Sequence, residues 1–284
     1  MRSVHQLKDS FQYAMHGCGA YKGLRQTNTK EAILHWYNKG VRVMEIDMAP
    51  TSDGDYVAVA HHLDKKDLRR LEIFNLPESR TRDWFMSQKL FCISTSGLTP
   101  LSLESIVDLM KEKEDLIVMF DLFGLFSEEE SKQFVEKLNT YIDDLSIWDR
   151  CLLETYNTSM IEGIYAARKD TNIIACVRYE DNINEKETIS PECLLSNGVK
   201  FVSYPWYIKA LHPEEIMQYS KAGITVFSRT KSNRQSPQLI KEGVSVNIVA
   251  NRFDRLLMPI QWALYMTTYF KRIYIKVLIK LNYK

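Results

Sequence analysis

Nine short apolar runs, each of five to eight residues, alternate with helix-like segments along most of the chain. They fall at 12–16, 41–48, 56–61, 116–122, 151–156, 172–178, 200–204, 224–229 and 244–250. Runs this short and rich in β-branched residues read as buried strands rather than helices. Helical spacing appears between them at 29–38, 103–112, 128–142, 159–169, 213–222 and 237–241. Asn28 or Thr29, Ser102, Ser127, Thr158 and Ser236 stand where N-caps belong. Gly40, Gly198, Gly223 and Gly243 stand where a helix stops and a strand begins.

Repeated strand–helix units predict an α/β fold with a mostly parallel sheet. No G-x-G-x-x-G follows the first strand, which argues against a dinucleotide-binding fold. The 284 residues, 45% of them apolar, suffice for one large core. Eight units over about 250 residues fit a (β/α)8 TIM barrel. Nine strands are one too many. Thr51-Ser52-Asp53-Gly54-Asp55 is a tight-turn sequence, so the second and third runs can form a hairpin. Residues 63–100 show no strand–helix unit and read as an insertion in a barrel spanning 1–254.

Thirty-seven basic and 36 acidic residues leave a net charge of +1, which gives no sign of a nucleic-acid binder. The five cysteines are scattered and form no C-x-x-C pair, which argues against a disulfide framework or a thiolate zinc site. Residues 1–12 are polar and no run of about 20 apolar residues occurs. The expectation is a reduced, cytoplasmic protein with neither secretory leader nor membrane span.

Charge is segregated, however. Residues 255–284 carry six basic residues and no acid, against 31 basic and 36 acidic residues in 1–254. Arg272, Lys276, Lys280 and Lys284 recur every four residues, and Ile273, Val277 and Leu281 do so one position along. On a helix these form a basic and an apolar stripe. That pattern suits either an anionic membrane surface, here the inner face, or a last barrel helix with a solvated basic side.

Barrel active sites gather at strand C-terminal ends. His16 closes the first run, His61 and His62 the third, and Asp121 lies near the end of the fourth. Glu45 and Asp47 are two apart in the second run, so they share a face. If that face is solvent, they are ordinary edge carboxylates. If it is the barrel interior, their repulsion calls for a divalent cation, and hard oxygen ligands favour magnesium or calcium. Asp121 could add a third oxygen or merely cap the next turn. Two histidines beside a metal could divide acid and base work in phosphodiester cleavage.

At these residues the chain resembles the glycerophosphodiester phosphodiesterase family. The likeness runs through His16-Gly17-Cys18-Gly19, Thr27-Asn28-Thr29-Lys30-Glu31-Ala32, Gly40, Glu45-Ile46-Asp47, Thr51-Ser52-Asp53-Gly54 and Val57-Ala58-Val59-Ala60-His61. Weaker echoes occur at Leu98-Thr99-Pro100-Leu101, Lys221-Ala222-Gly223 and Lys241-Glu242-Gly243-Val244. It implies a PLC-like phosphodiesterase TIM barrel that hydrolyses a glycerophosphodiester to glycerol 3-phosphate and an alcohol. It also implies a magnesium or calcium ion at Glu45, Asp47 and Asp121, with His16 and His61 as the acid/base pair and Asn28 near the substrate.

The chain departs from the family pattern at several points. Gly17 stands where arginine is common, Thr27 where glutamate is, and His62 replaces an aspartate. Asp121 is one methylene shorter than the usual glutamate, and Phe123 stands where a phosphate-contacting lysine is frequent. Arg229-Thr230 replaces a Trp-Thr pair, and Asn251 a Thr-Asp ending. Arg178 and Arg229, both at strand ends, are the candidate phosphate cations. These departures and the tail leave two alternatives: a phospholipase-D-like or lysophospholipid-acting barrel, and a binding or regulatory barrel without turnover.

Overall fold

The computed structural model describes residues 3–21, 26–59, 80–87, 98–122, 124–177, 190–205, 213–230 and 236–249. Each of the nine apolar runs overlaps a strand: β1 Gln12–Met15, β2 Val43–Pro50, β3 Tyr56–Ala58, β4 Ile117–Asp121, β5 Cys151–Thr155, β6 Ile173–Cys176, β7 Phe201–Pro205, β8 Thr225–Thr230 and β9 Val246–Val249. The sheet order is β1-β9-β8-β7-β6-β5-β4-β2-β3, and β1 also pairs with β2. Eight parallel strands therefore close into a barrel. The extra strand, β3, pairs antiparallel with β2 across the Thr51–Asp55 turn, with Met48 opposite Ala58 and Pro50 opposite Tyr56.

The helices among the described residues are α1 Lys30–Asn38, α2 Arg82–Met86, α3 Leu103–Glu112, α4 Glu128–Tyr141, α5 Leu145–Trp148, α6 Thr158–Ala167, α7 Pro191–Ser196, α8 Pro213–Lys221 and α9 Ser236–Lys241. Ser102 and Ser127 each form a capping box at α3 and α4. Two expected caps move. Asn157, not Thr158, caps α6, its Oδ1 accepting from Met160 N at 2.9 Å, because a planar amide there satisfies the free amide of the first turn. Ser236 is the first residue of α9, and its hydroxyl lies 3.0 Å from that of Tyr13. Gly163 lets α6 lie against α4, since a Cβ there would fall 2.1 Å from Glu128 O.

Side chains alternate along the barrel strands. In β2, Met44, Ile46 and Met48 face outward into the core beneath the helices, while Val43, Glu45 and Asp47 face inward. The lower interior is apolar: Ala14, Val43, Ile117, Met119, Leu152, Ile174, Phe201, Phe227, Val246 and Ile248 form one cluster. Val4 and Leu7, on a 3-10 turn at Val4–Lys8, join that cluster fully buried. Val4 N donates to Asp149 O at 2.9 Å, which ties this plug to the loop before β5. Within the stretch read as an insertion, Phe85 of α2 and Leu98 pack on Val57 and Val59 beside the hairpin.

Candidate active site

One turn of pleat above the apolar floor the interior changes character. Parallel pairing sets Asp47 of β2 opposite Asp121 of β4, and Asp121 opposite Glu154 of β5. Three carboxylates thus stand in a row on consecutive strands, with Glu45 one layer beneath. All four are at most 1% exposed. Glu45 and Asp47 face the barrel interior, not solvent, because the outward positions of β2 are taken by methionine and isoleucine.

His16 follows β1 on a 3-10 turn, His16–Cys18, and its Nε2 lies 3.6 Å from Glu45 Oε1. Gln26 Nε2 lies 2.8 Å from His16 Nδ1. When the amide donates there, the imidazole proton sits on Nε2, facing the carboxylates. The Gly17 amide donates to Glu45 Oε2. Gly17 has φ +54°, and a Cβ on it would lie 2.6 Å from Gln26 Cβ. Any larger residue here would push away the chain that orients His16, which explains why this loop holds glycine where arginine is common.

Asn28, read from sequence as near the substrate, is wholly buried and spends its amide inside the protein. Its Nδ2 donates to Asp47 Oδ2 at 2.6 Å and to Val59 O at 2.7 Å. Its Oδ1 accepts from Asp47 N at 3.3 Å. Arg229, on β8, points into the acids. Its Nη2 donates to Glu154 Oε2 and lies 3.6 Å from Asp121 Oδ2 and 3.7 Å from Glu45 Oε1. His61 and Arg178 lie outside the described residues, as do His62, Phe123, Asn251 and the tail at 255–284.

Three site residues escaped the sequence reading. Glu154 carries the same signal as Asp121, an acid at the end of an apolar run. Tyr156 donates to Asp121 Oδ1 at 2.6 Å, and the Cys176 thiol donates to Glu154 Oε1. Burial, with the neighbouring acids, holds both the Tyr156 phenol and the Cys176 thiol well above their ordinary values, so both remain donors.

Burial and then the Asp47 charge push the Glu45 carboxyl well above its usual range. Burial lifts Glu154 to about 7 against the pull of Arg229. Burial opposes the Arg229 charge too, but Glu154 and its neighbours hold it firmly protonated. Among the described residues, four inward carboxylates thus face one guanidinium, an imbalance that favours a bound cation.

Two groups of ligand atoms, each within 4.8 Å of one another, share Glu45: His16 with Glu45 and Asp47, and Glu45 with Asp121 and Glu154. Glu45 Oε1 is buried without a hydrogen-bond partner. An oxygen-rich, negatively charged set with such an atom fits a hard divalent cation.

The architecture carrying these residues has close counterparts among solved structures. A glycerophosphodiester phosphodiesterase from Parabacteroides distasonis superposes with a TM-score of 0.65 at 15% identity, covering 92% of this chain and 98% of that one. The fold is that of glycerophosphodiester phosphodiesterases. An Oleispira antarctica phosphodiesterase, solved in complex with the product sn-glycerol-3-phosphate, matches at 0.63 and 16% identity over 85% of this chain and 93% of its own. An Agrobacterium tumefaciens glycerophosphodiester phosphodiesterase matches at 0.62 and 12% identity over 84% and 96%. No family model and no curated protein sequence matches the chain. Among the described residues no helix is long and apolar enough to cross a membrane.

Proposed function

We propose that the protein is a phosphoric diester hydrolase that cleaves a glycerophosphodiester to glycerol 3-phosphate and an alcohol. Glu45, Asp47 and Asp121 would hold magnesium or calcium, and His16 and His61 would act as the acid/base pair. The observation that carries the reading is His16 Nε2 facing a buried Glu45 oxygen at 3.6 Å, one layer beneath the carboxylate row. The barrel is also shared with a phosphodiesterase whose structure holds sn-glycerol-3-phosphate.

Glu45, Asp47 and Asp121 would hold a divalent cation, which would supply positive charge to offset that of the phosphodiester. The chain's own residues do the rest. Gln26 fixes the His16 ring with Nε2 toward the site, and Gly17 and Asn28 hold Glu45 and Asp47 in place. Tyr156 fixes Asp121. His16 and His61 divide the proton traffic, one accepting from the attacking hydroxyl and the other protonating the leaving alkoxide. Asn28 acts as a positioning residue. Arg178 is the arginine assigned to the phosphate, since three carboxylates engage Arg229.

The test is a panel of glycerophosphodiesters assayed with magnesium, with calcium and with chelator, for the wild type, His16→Ala and Glu45→Ala. Chelator-sensitive release of glycerol phosphate, lost in both variants, is expected. Activity that survives both substitutions would sink the assignment. Saturable binding without release would make the protein a binding barrel.

A further inference from the structure

The two ligand groups that share Glu45 are not equivalent. In one, Asn28 donates to Asp47 and the Gly17 amide to Glu45, and among the described residues no arginine or lysine makes an ion pair with Asp47. In the other, the Arg229 guanidinium already lies against all three acids: bonded to Glu154, 3.6 Å from Asp121 and 3.7 Å from Glu45. Glu154 has both oxygens committed within the protein, one to Arg229 and one to the Cys176 thiol. Arg229 is 11% exposed, so water screens it little.

We propose that Arg229 is a resident cation filling the second carboxylate group, Glu45–Asp121–Glu154, and that Glu154 serves to seat it. The site accordingly takes one divalent ion, among Glu45, Asp47 and Asp121, with Arg229 occupying the Glu154 side of Asp121. A second divalent ion beside a fixed guanidinium would meet a like charge within a few ångströms. Removing the guanidinium leaves three oxygen ligands at the spacing a divalent ion needs, so a latent second ion site opens. This inference rests on reading the carboxylates as a cation site. It deepens that reading by assigning Glu154 and Arg229, at the far side of Asp121, a charge-compensating role distinct from substrate contact.

The experiment counts bound ions by equilibrium dialysis against calcium chloride and against magnesium chloride, at about pH 8, above the raised Glu154 value. Wild type is expected to hold one ion per chain, Arg229→Met two, Arg229→Lys one, and the double variant Arg229→Met/Glu154→Gln one. Arg229→Gln, neutral and polar, provides a second form of the main variant, with folding of each checked by circular dichroism. Glu154→Gln alone gives an independent test in a nearly isosteric background. It should keep the single ion with affinity within about threefold, because Glu154 does not ligate it while Arg229 is in place.

The proposal is overturned if wild type already binds two ions, if Arg229→Met or Arg229→Gln gains none, or if Glu154→Gln loses the ion. Failure of the underlying cation reading looks different. Wild type would then bind no ion while Arg229→Met binds one, which upholds the resident guanidinium and removes the catalytic ion.

Discussion

The same eight strands build two layers of opposite chemistry. Below, β2, β4 and β5 turn Val43, Ile117, Met119 and Leu152 inward, and Phe201 and Phe227 fill the space with the Val4 and Leu7 plug beneath. Two to four residues further along the same strands, the inward positions hold Glu45, Asp47, Asp121 and Glu154, faced by Arg229. The floor gains stability from apolar burial and needs no partner. The upper layer is costly to desolvate and is held by hydrogen bonds from Gly17, Asn28, Tyr156 and Cys176. The lesson is a division of labour along a strand. The end with stabilising interactions to spare anchors the end that carries charge.

The largest expected effect falls on the upper layer alone. His16→Ala should lower turnover by roughly 10²- to 10⁴-fold, with the urea midpoint of unfolding unchanged. A shifted midpoint would show that His16 is structural. Phe227→Ala should do the reverse, costing about 3–5 kcal/mol of stability in urea unfolding and sparing turnover per folded molecule. A matching loss of turnover would erase the division between layers. Tyr156→Phe removes the donor on a buried carboxylate and should cost about 1–3 kcal/mol. An unchanged midpoint would mean the Asp121 bond contributes nothing.

Glu45→Gln has the most telling sign. Burial and Asp47 hold the carboxyl of Glu45 well above its usual range, so its ionised form weighs against the folded state at neutral pH. In cation-free buffer the variant should be as stable as wild type or more so, by up to about 1 kcal/mol. Calcium should raise the melting temperature of the wild type and leave that of the variant unmoved. Equal calcium shifts in both would place the ion elsewhere. The smallest effect lies outside both layers. Full-length protein should float weakly with anionic liposomes at low salt, and a chain ending at residue 254 should not. Equal flotation of the two would leave the basic stripe as a solvated surface.

Much of the scaffold was legible from residue order. The nine runs all became strands, and the Thr51–Asp55 turn correctly marked the surplus strand as a hairpin. The Glu45-x-Asp47 spacing showed a shared face, and Asp121 and His16 marked strand ends. Whether that face was interior or solvent was not legible, since both readings satisfy a period of two. Glu154 was passed over because a single acid in an apolar run looks the same whether it meets solvent, a cap or an active site. Asn28 matched a motif, yet only its contacts show that Asp47 and Val59 take up its amide.

Local sequence, then, determined which segments are strands, where most of the longer helices lie, and which side chains share a face. Those follow from period, capping chemistry and turn residues, each a matter of a few neighbouring positions. Only the tertiary structure decided that β1 pairs with both β2 and β9 and so closes the barrel. Closure brings Arg229 to Glu154, 75 residues away in sequence, and places Glu45 between two carboxylate groups. Electrostatic partnership depends on distance in space and on exclusion of water. Neither is defined until the last strand has joined the first.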